Sequence, residues 1–578
     1  MSSKWKAGTL VAALVLFTIS NVYAGPKDGR DWDNGHRRIR HVLLISIDGM
    51  HAVDYANCVA SNTCPHLAEL GETGVTYTRT STSRPSDSFP GLMALVTGGT
   101  PRTVGAFYDV AYDRVLAPPM TTTGNGLAGG SCIAGVINGT QTEYEEGDEI
   151  DQTKLNGGGP YSLTDGGILS IDPNKLVRDP FNGCNPVYPW NFVRTNTIYG
   201  VIHKAGGYTA WSDKHAVYAV VSGPTGTKNP SNVDDYYSPE VNSNQISLPG
   251  ITTAGTKFDC SGIVASGNDW TTDFQAIQCY DQLKVNAIVN EIDGKTHLGT
   301  SPAPVPAVFG MNFQAVSIGE KLIENGTFGG YTDAAGTPTP SMASEIKFVD
   351  ASIGQMMEAL EDHHLLNSTV IIITAKHGQS PIDNSRFFPI PGHSGTNGMP
   401  PSQILASLLP LAETTGLGPT EDDISQLWLT NSKDTLTAVG MLESNAKAAG
   451  IGQILYSTSL TTIFNPPGVP DNPGPCCRLR EGGDPRTPDF IVLPNVGVVY
   501  TGSAKKQAEH GGFAWDDTNV MLLVSNPEIA GKTIHSFVET TQVAPTILQL
   551  LGLDPDDLDA VRKEGTPVLP GLDFGDDR

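Results

Sequence analysis

The run HVLLISI at His41–Ile47 constrains this chain more than any other feature. Seven nearly unbroken apolar residues fit neither an amphipathic helix nor a half-exposed strand that alternates apolar and polar. They fit a strand buried on both faces, the habit of parallel sheets. The run stops at Asp48-Gly49, and AVFGM (307–311) and VIIIT (370–374) repeat the pattern. Pro65 opens a short helical stretch, PHLAEL, closed by Gly71, and Val75 to Thr80 reads as a second strand. A turn-rich loop, SRPSDSFP (83–90), leads into the apolar LMALV and ends at Gly98-Gly99. Ile346, Val349, Ile353, Met356 and Leu360 lie three and four apart, one apolar face of a helix ahead of VIIIT. Strands alternating with helices predict an α/β fold with a mostly parallel sheet.

The 578 residues suffice for one large α/β domain with insertions, or for three to four ordinary domains. Residues 115–190 and 222–270 are rich in Gly, Asn, Pro and Thr and read as long surface loops. Residues 385–484 carry short helical pieces among prolines and glycines and read as an inserted cap. The core is then 25–384 plus 485–578. Its sheet resumes at Phe490–Leu493, Val498–Tyr500 and Met521–Val524, and Gln542–Leu551 is a closing helix.

Residues 1–24 have the form of a secretory leader: Lys4 and Lys6, an apolar run from Leu10 to Ile19, then Val22-Tyr23-Ala24. Secretion is the expectation, extracellular or, in a bacterium, periplasmic. No later stretch reaches the length of a membrane span. With 36 Lys and Arg against 61 Asp and Glu, the net charge is −25, which argues against binding nucleic-acid duplexes. Eight cysteines in an oxidising compartment suggest disulfides. Sequence order favours Cys58–Cys64, Cys132–Cys184 and Cys260–Cys279, with Cys476 and Cys477 either joined to each other or split among partners. Asn138, Asn325 and Asn367 each begin an N-x-Ser/Thr sequon, a candidate glycosylation site.

In open parallel sheets, ligands collect outside the carboxyl ends of the strands. Asp48 follows the first strand, His377 follows VIIIT, and His510 follows the strand at Val498–Tyr500. One carboxylate and two imidazoles there suit a zinc-class ion. Ser88, in PSDSFPGLMALV, stands at the start of a helix where backbone N–H groups attract anions. It is either a nucleophile or a helix cap, with Ser86 as the competing choice. Asp213 and His215, if extended, share a side and either join a metal site or lie in an exposed loop.

Taken in order, LLISIDGM, DSFPGLMALVTGGTPRTVGAFYD, AKHGQ, EHGG and VAPTILQLLGLDP resemble the type I phosphodiesterase/nucleotide pyrophosphatase branch of the alkaline phosphatase superfamily, over about residues 40 to 570. The resemblance implies an α/β sandwich with helices on both faces of the sheet. It also implies two metals, usually zinc, flanking a Thr or Ser nucleophile. By that likeness Asp48, Ser88 and His377 match ligands of one metal, and His510 matches a ligand of the other. The chain departs from the pattern at three places. Lys376 replaces an acidic ligand. Asn312 and Gln314 stand where an Asp and a His four apart are expected. Asp109 replaces an Asn that grips phosphate. If Lys376 and Asp109 share a pocket, the exchange is a charge swap in which Lys376 stands in for metal charge.

The function implied is a secreted, metal-dependent phosphoric-ester hydrolase, using one or two divalent ions. It would act on a small phosphodiester or pyrophosphate through a Ser88 phospho-enzyme. One alternative is a phosphomonoesterase or related esterase with a one-metal or lysine-assisted centre. The other is a secreted binding protein on a degenerate hydrolase scaffold. Oligomeric state has no signal in the sequence.

Overall fold

The computed structural model describes residues 38–144, 149–158, 166–243, 248–267, 269–411, 417–457, 459–460 and 485–572. At its centre is a nine-stranded sheet. The strands are β1 (His41–Ile47), β2 (Gly74–Ser81), β3 (Ala210–Ser212), β4 (Asp235–Tyr237), β5 (Val308–Phe313), β6 (Thr369–Thr374), β7 (Asn519–Ser525), β8 (Lys532–Ile534) and β9 (Val538–Glu539). Their order is β8-β2-β7-β6-β1-β5-β3-β4, with β9 also paired to β2. β1 pairs in parallel with both β6 and β5, and β7 alone runs against its neighbours.

The apolar run of β1 is explained by what lies on each side. Val42 and Leu44 enter one core with Val370, Ile372 and Val524, while Leu43, Ile45 and Ile47 enter a second with Phe309, Met311 and Ile373. Helices cover both faces. α1 (Ser88–Thr97) and α4 (Val543–Leu550) close the first core, and α2 (Phe274–Ile292) and α3 (Pro340–Asp362) close the second. The predicted face of α3 is buried as expected, from Ile346 through Leu360, and Thr339 caps its start by accepting from Met342 N–H.

Several expectations are corrected. The stretches 115–190 and 222–270 are not a surface coat: Tyr144, Leu176 and Trp190 sit in the first core, and Trp270 in the second. Their regular elements are two to seven residues long, too short for a period to show. α2, nineteen residues long, was not read from the sequence. It buries Gln278, Asp281, Gln282, Lys284 and Glu291 along with its apolar residues, which blurs the stripe. Phe490–Pro494 does not return to the central sheet. It pairs antiparallel with Ser425–Leu427 and Ile451–Tyr456, closing a small four-stranded sheet that also holds Thr420–Glu421. Val498–Val499 pairs with Phe388–Pro389 instead of the core.

The three disulfides expected from sequence order, Cys58–Cys64, Cys132–Cys184 and Cys260–Cys279, are formed. Residues 1–24, Cys476 and Cys477 lie outside the described residues. Asn138, Asn325 and Asn367 are all exposed. Among the described residues no helix is long and apolar enough to cross a membrane.

Candidate active site

The carboxyl ends of β1, β5, β6 and β3 bring Asp48, Asn312 with Gln314, Lys376 with His377, and Asp213 with Lys214 to one end of the sheet. α1 delivers Ser88 to the same place. Asp87 is its N-cap and accepts from Phe89 N–H, all ten helical residues are buried, and Gly98 ends the helix at φ 73°. Gly91 lets the helix seat there, because a Cβ on it would overlap the carbonyl of Lys376. A cleft of about 250 Å³ opens beside these groups, lined among others by Asp109, Lys214, Gln314, His377, Lys506 and His510.

Ser88 Oγ lies 3.1 Å from His377 Nε2, 3.4 Å from Lys214 Nζ and 3.5 Å from Asp48 Oδ2. His377 Nδ1 is 2.9 Å from the carbonyl oxygen of Gly378. A carbonyl only accepts, so Nδ1 carries the proton and Nε2 turns its lone pair toward the serine. Burial, helped by neighbouring His510, pushes the His377 pKa below its ordinary 6.5, which keeps the ring neutral. The ammonium of Lys214 donates to Ser88 Oγ, and the serine hydroxyl is left to donate to His377. The His510 ring lies against His377, centroids 4.1 Å apart and planes tilted by 37°, and its Nδ1 is 3.4 Å from Asp87 Oδ1.

Ser86, the competing nucleophile, is structural. It donates to the Asp517 carbonyl at 2.6 Å and is 2.8 Å from Thr82 Oγ1.

The predicted residues Asp48, Ser88, His377 and His510 thus meet. The postulated pairing of Lys376 with Asp109 does not form. Lys376 is wholly buried, lies 3.0 Å from both oxygens of Asp213, and stands 4.0 Å from the centre of the Tyr218 ring. Trp211 Nε1 and the Lys214 backbone N–H also donate to Asp213, at 3.0 and 2.9 Å. The reason is local. Asp213 directly follows β3, whose Ser212 pairs with Met311 of β5, and is fully buried, whereas Asp109 sits at the cleft wall, where its Oδ1 accepts from Val110 N–H. His215 lines the same cleft with its Nδ1 2.6 Å from Glu240 Oε1, while Asp213 is taken up by Lys376, so the two do not form a shared ligand pair.

These groups do not fit the two metals of the family resemblance. Asp48 Oδ1 accepts from Asn312 Nδ2 and Oδ2 from Gln314 Nε2, both at 2.8 Å, so amide donors already engage both oxygens. Two lysines stand in the same shell. Burial works against charge on Asp48, but the two lysines, Lys376 foremost and then Lys214, outweigh it and hold the carboxyl well below its usual range. Among the described residues no group of three or more His, Cys, Asp or Glu side chains is arranged to hold a metal ion.

Sequence reasoning undervalued Lys214. The signal was the strand-end rule itself, hidden because β3 has three residues and gives no apolar run.

The sequence profile of the type I phosphodiesterase / nucleotide pyrophosphatase family matches residues 42–136 and 327–517, segments that carry Asp48, Ser88, Asp109, Lys376, His377 and His510. Among solved structures, the chain is similar to murine ectonucleotide pyrophosphatase/phosphodiesterase 5, with 14% identity, 89% of this chain and 96% of that one covered, and a TM-score of 0.50. The human protein of the same name gives 13% identity, 89% and 95% coverage, and a TM-score of 0.48. No curated protein matched in direct sequence comparison. The profile match, together with a shared fold across most of both chains, shows that the chain belongs to the type I phosphodiesterase/nucleotide pyrophosphatase family of the alkaline phosphatase superfamily, hydrolases acting on phosphoester bonds.

Proposed function

We propose that this chain is an exported hydrolase of small phosphodiesters or pyrophosphates that works through a covalent Ser88 phospho-enzyme. The observation that carries the reading is the Ser88–His377 contact of 3.1 Å at the start of α1, with the tautomer of His377 set by Gly378. Ser88 Oγ attacks phosphorus as its proton passes to His377 Nε2, an Oγ–P bond forms, and the P–O bond to the leaving group breaks. The leaving oxygen, expelled in line toward the open cleft, takes a proton from water. Water then attacks the phosphorus of the Ser88-bound intermediate, which still carries the substrate's other substituent, and releases its own proton to solvent. The P–Oγ bond breaks, and His377 returns its proton to Ser88.

Export is supported by three disulfides, which persist in oxidising compartments, and by the exposure of all three sequons. Divalent metal, the expected cofactor, finds no fitting donor set here, so the lysine-assisted alternative is favoured over the two-ion centre.

The test is hydrolysis of bis(4-nitrophenyl) phosphate by Ser88→Ala and Ser86→Ala variants. Ser88→Ala is expected to abolish turnover with folding intact, and Ser86→Ala to retain catalysis at some cost in stability. Undiminished turnover by Ser88→Ala would sink the reading.

A further inference from the structure

We infer that Lys214 is a catalytic residue that takes over the task a metal performs elsewhere in the family, and that the centre works without divalent cations. The inference rests on the Ser88 reading above. Its starting point is the misfit of the donor set. The expected acidic ligand is Lys376, and the carboxylate that remains, Asp48, is engaged by two amides.

What replaces the metal is built, and its parts depend on one another. Lys376 and Asp213, both wholly buried, form a two-pronged ion pair at 3.0 Å. Asp213 Oδ1 also accepts the backbone N–H of Lys214 at 2.9 Å, and the Lys214 carbonyl is 3.4 Å from the Tyr280 hydroxyl. The pair therefore fixes the main chain from which Lys214 reaches Ser88 Oγ at 3.4 Å, in the wall of the cleft. Lys376 is a positioning residue in this arrangement, and Lys214 touches the reacting atom.

A metal bound to a serine oxygen lowers the cost of forming the alkoxide and then neutralises charge on the phosphoryl group. An ammonium donating to the same oxygen does both through a charge-assisted hydrogen bond. Asp213, Lys214, Asn312 and Gln314 all fall between the two segments that match the family profile. Lys376, by contrast, lies within the second matched segment, so the arrangement joins a matched part of the chain to an unmatched one.

The experiment uses the full chain after exhaustive dialysis against a chelator. Turnover of bis(4-nitrophenyl) phosphate is measured with and without added zinc, alongside zinc binding by calorimetry and binding of orthovanadate. Expected are unchanged kcat, no zinc-dependent rise in Tm, and vanadate binding that Lys214→Met weakens. Lys214→Met should lose about 10²–10³-fold in kcat, the effect of removing one oxyanion donor. Lys214→Arg should recover part of it at unchanged Tm.

Loss of activity on chelation with recovery on zinc, or tight zinc binding abolished by His377→Ala, would overturn the inference. So would wild-type kcat and vanadate affinity in Lys214→Met. If Ser88→Ala is inert while Lys214→Met is unaffected, this inference alone fails. If Ser88→Ala retains turnover, the reading beneath it fails. Should the substrate not turn over, zinc and vanadate binding still decide.

Discussion

Replacing Lys376 with Met removes a cation from a wholly buried pair and leaves Asp213 with two neutral donors, Trp211 Nε1 and the Lys214 N–H. At an effective dielectric near 20, two unit charges at the observed 3.0 Å attract by roughly 5–6 kcal/mol, before desolvation is subtracted. Breaking one side of such a pair costs about 3–5 kcal/mol, because the remaining charge stays buried and uncompensated. Lys376→Met should therefore destabilise the chain by about that much. Asp213→Asn should also destabilise it, leaving the ammonium facing an amide over the Tyr218 ring. The double variant should recover at least about 2 kcal/mol relative to the sum of the two, since each change removes the other's stranded charge. Urea unfolding followed by tryptophan fluorescence measures this, with equal m-values licensing the comparison. A loss below about 1 kcal/mol in either single variant, or additive singles, would refute the claim that these residues are bound as a pair. The cycle between Lys376→Met and Asp109→Asn, by contrast, should be additive.

Gly91→Ala should cost about 1–3 kcal/mol and lower turnover, because its Cβ meets the Lys376 carbonyl and pushes α1 off its seat; an unchanged melting temperature would contradict the packing. Asp87→Ala removes an N-cap whose Oδ2 also accepts from Asp109 N–H at 3.1 Å, so a loss of about 0.5–2 kcal/mol is expected in thermal or urea unfolding. For pH, the His377 value is shifted below 6.5, so its neutral, proton-accepting form persists under that pH. The acid limb of kcat against pH should lie below 6.5, and a midpoint above it would count against His377 as base. The same shift makes His377 favour the native state fully above its unfolded value near 6.5, with that contribution lost as pH falls through the native value.

The α/β fold was legible because β1, β5 and β6 are buried on both faces and so betray themselves as apolar runs ending in Asp48, Asn312 and His377. Ser88 was legible as a position but not as a role. Its separation from Ser86 needed the partners of both hydroxyls, since two serines before one helix look alike in sequence. The fate of Lys376 was misjudged. Sequence showed that a charge had changed sign but offered Asp109 as its match, because the true partner follows a three-residue strand with no periodicity. The last strand of the small sheet, Phe490–Pro494, was assigned to the central one for a related reason. Its first three residues, Phe490 to Val492, are buried and apolar and the strand is paired on both sides, as an inner strand of either sheet would be.

The central claim is that Ser88 becomes covalently phosphorylated during turnover. Acid quenching of the enzyme within its first turnovers of bis(4-nitrophenyl) phosphate, followed by proteolysis and peptide mass analysis, tests it directly. The account predicts a 4-nitrophenylphosphoryl adduct on Ser88 that appears on mixing with substrate, decays as substrate is exhausted, and is missing from Ser88→Ala. Sustained turnover with no adduct on any serine, or an adduct that forms elsewhere and persists in Ser88→Ala, would contradict it.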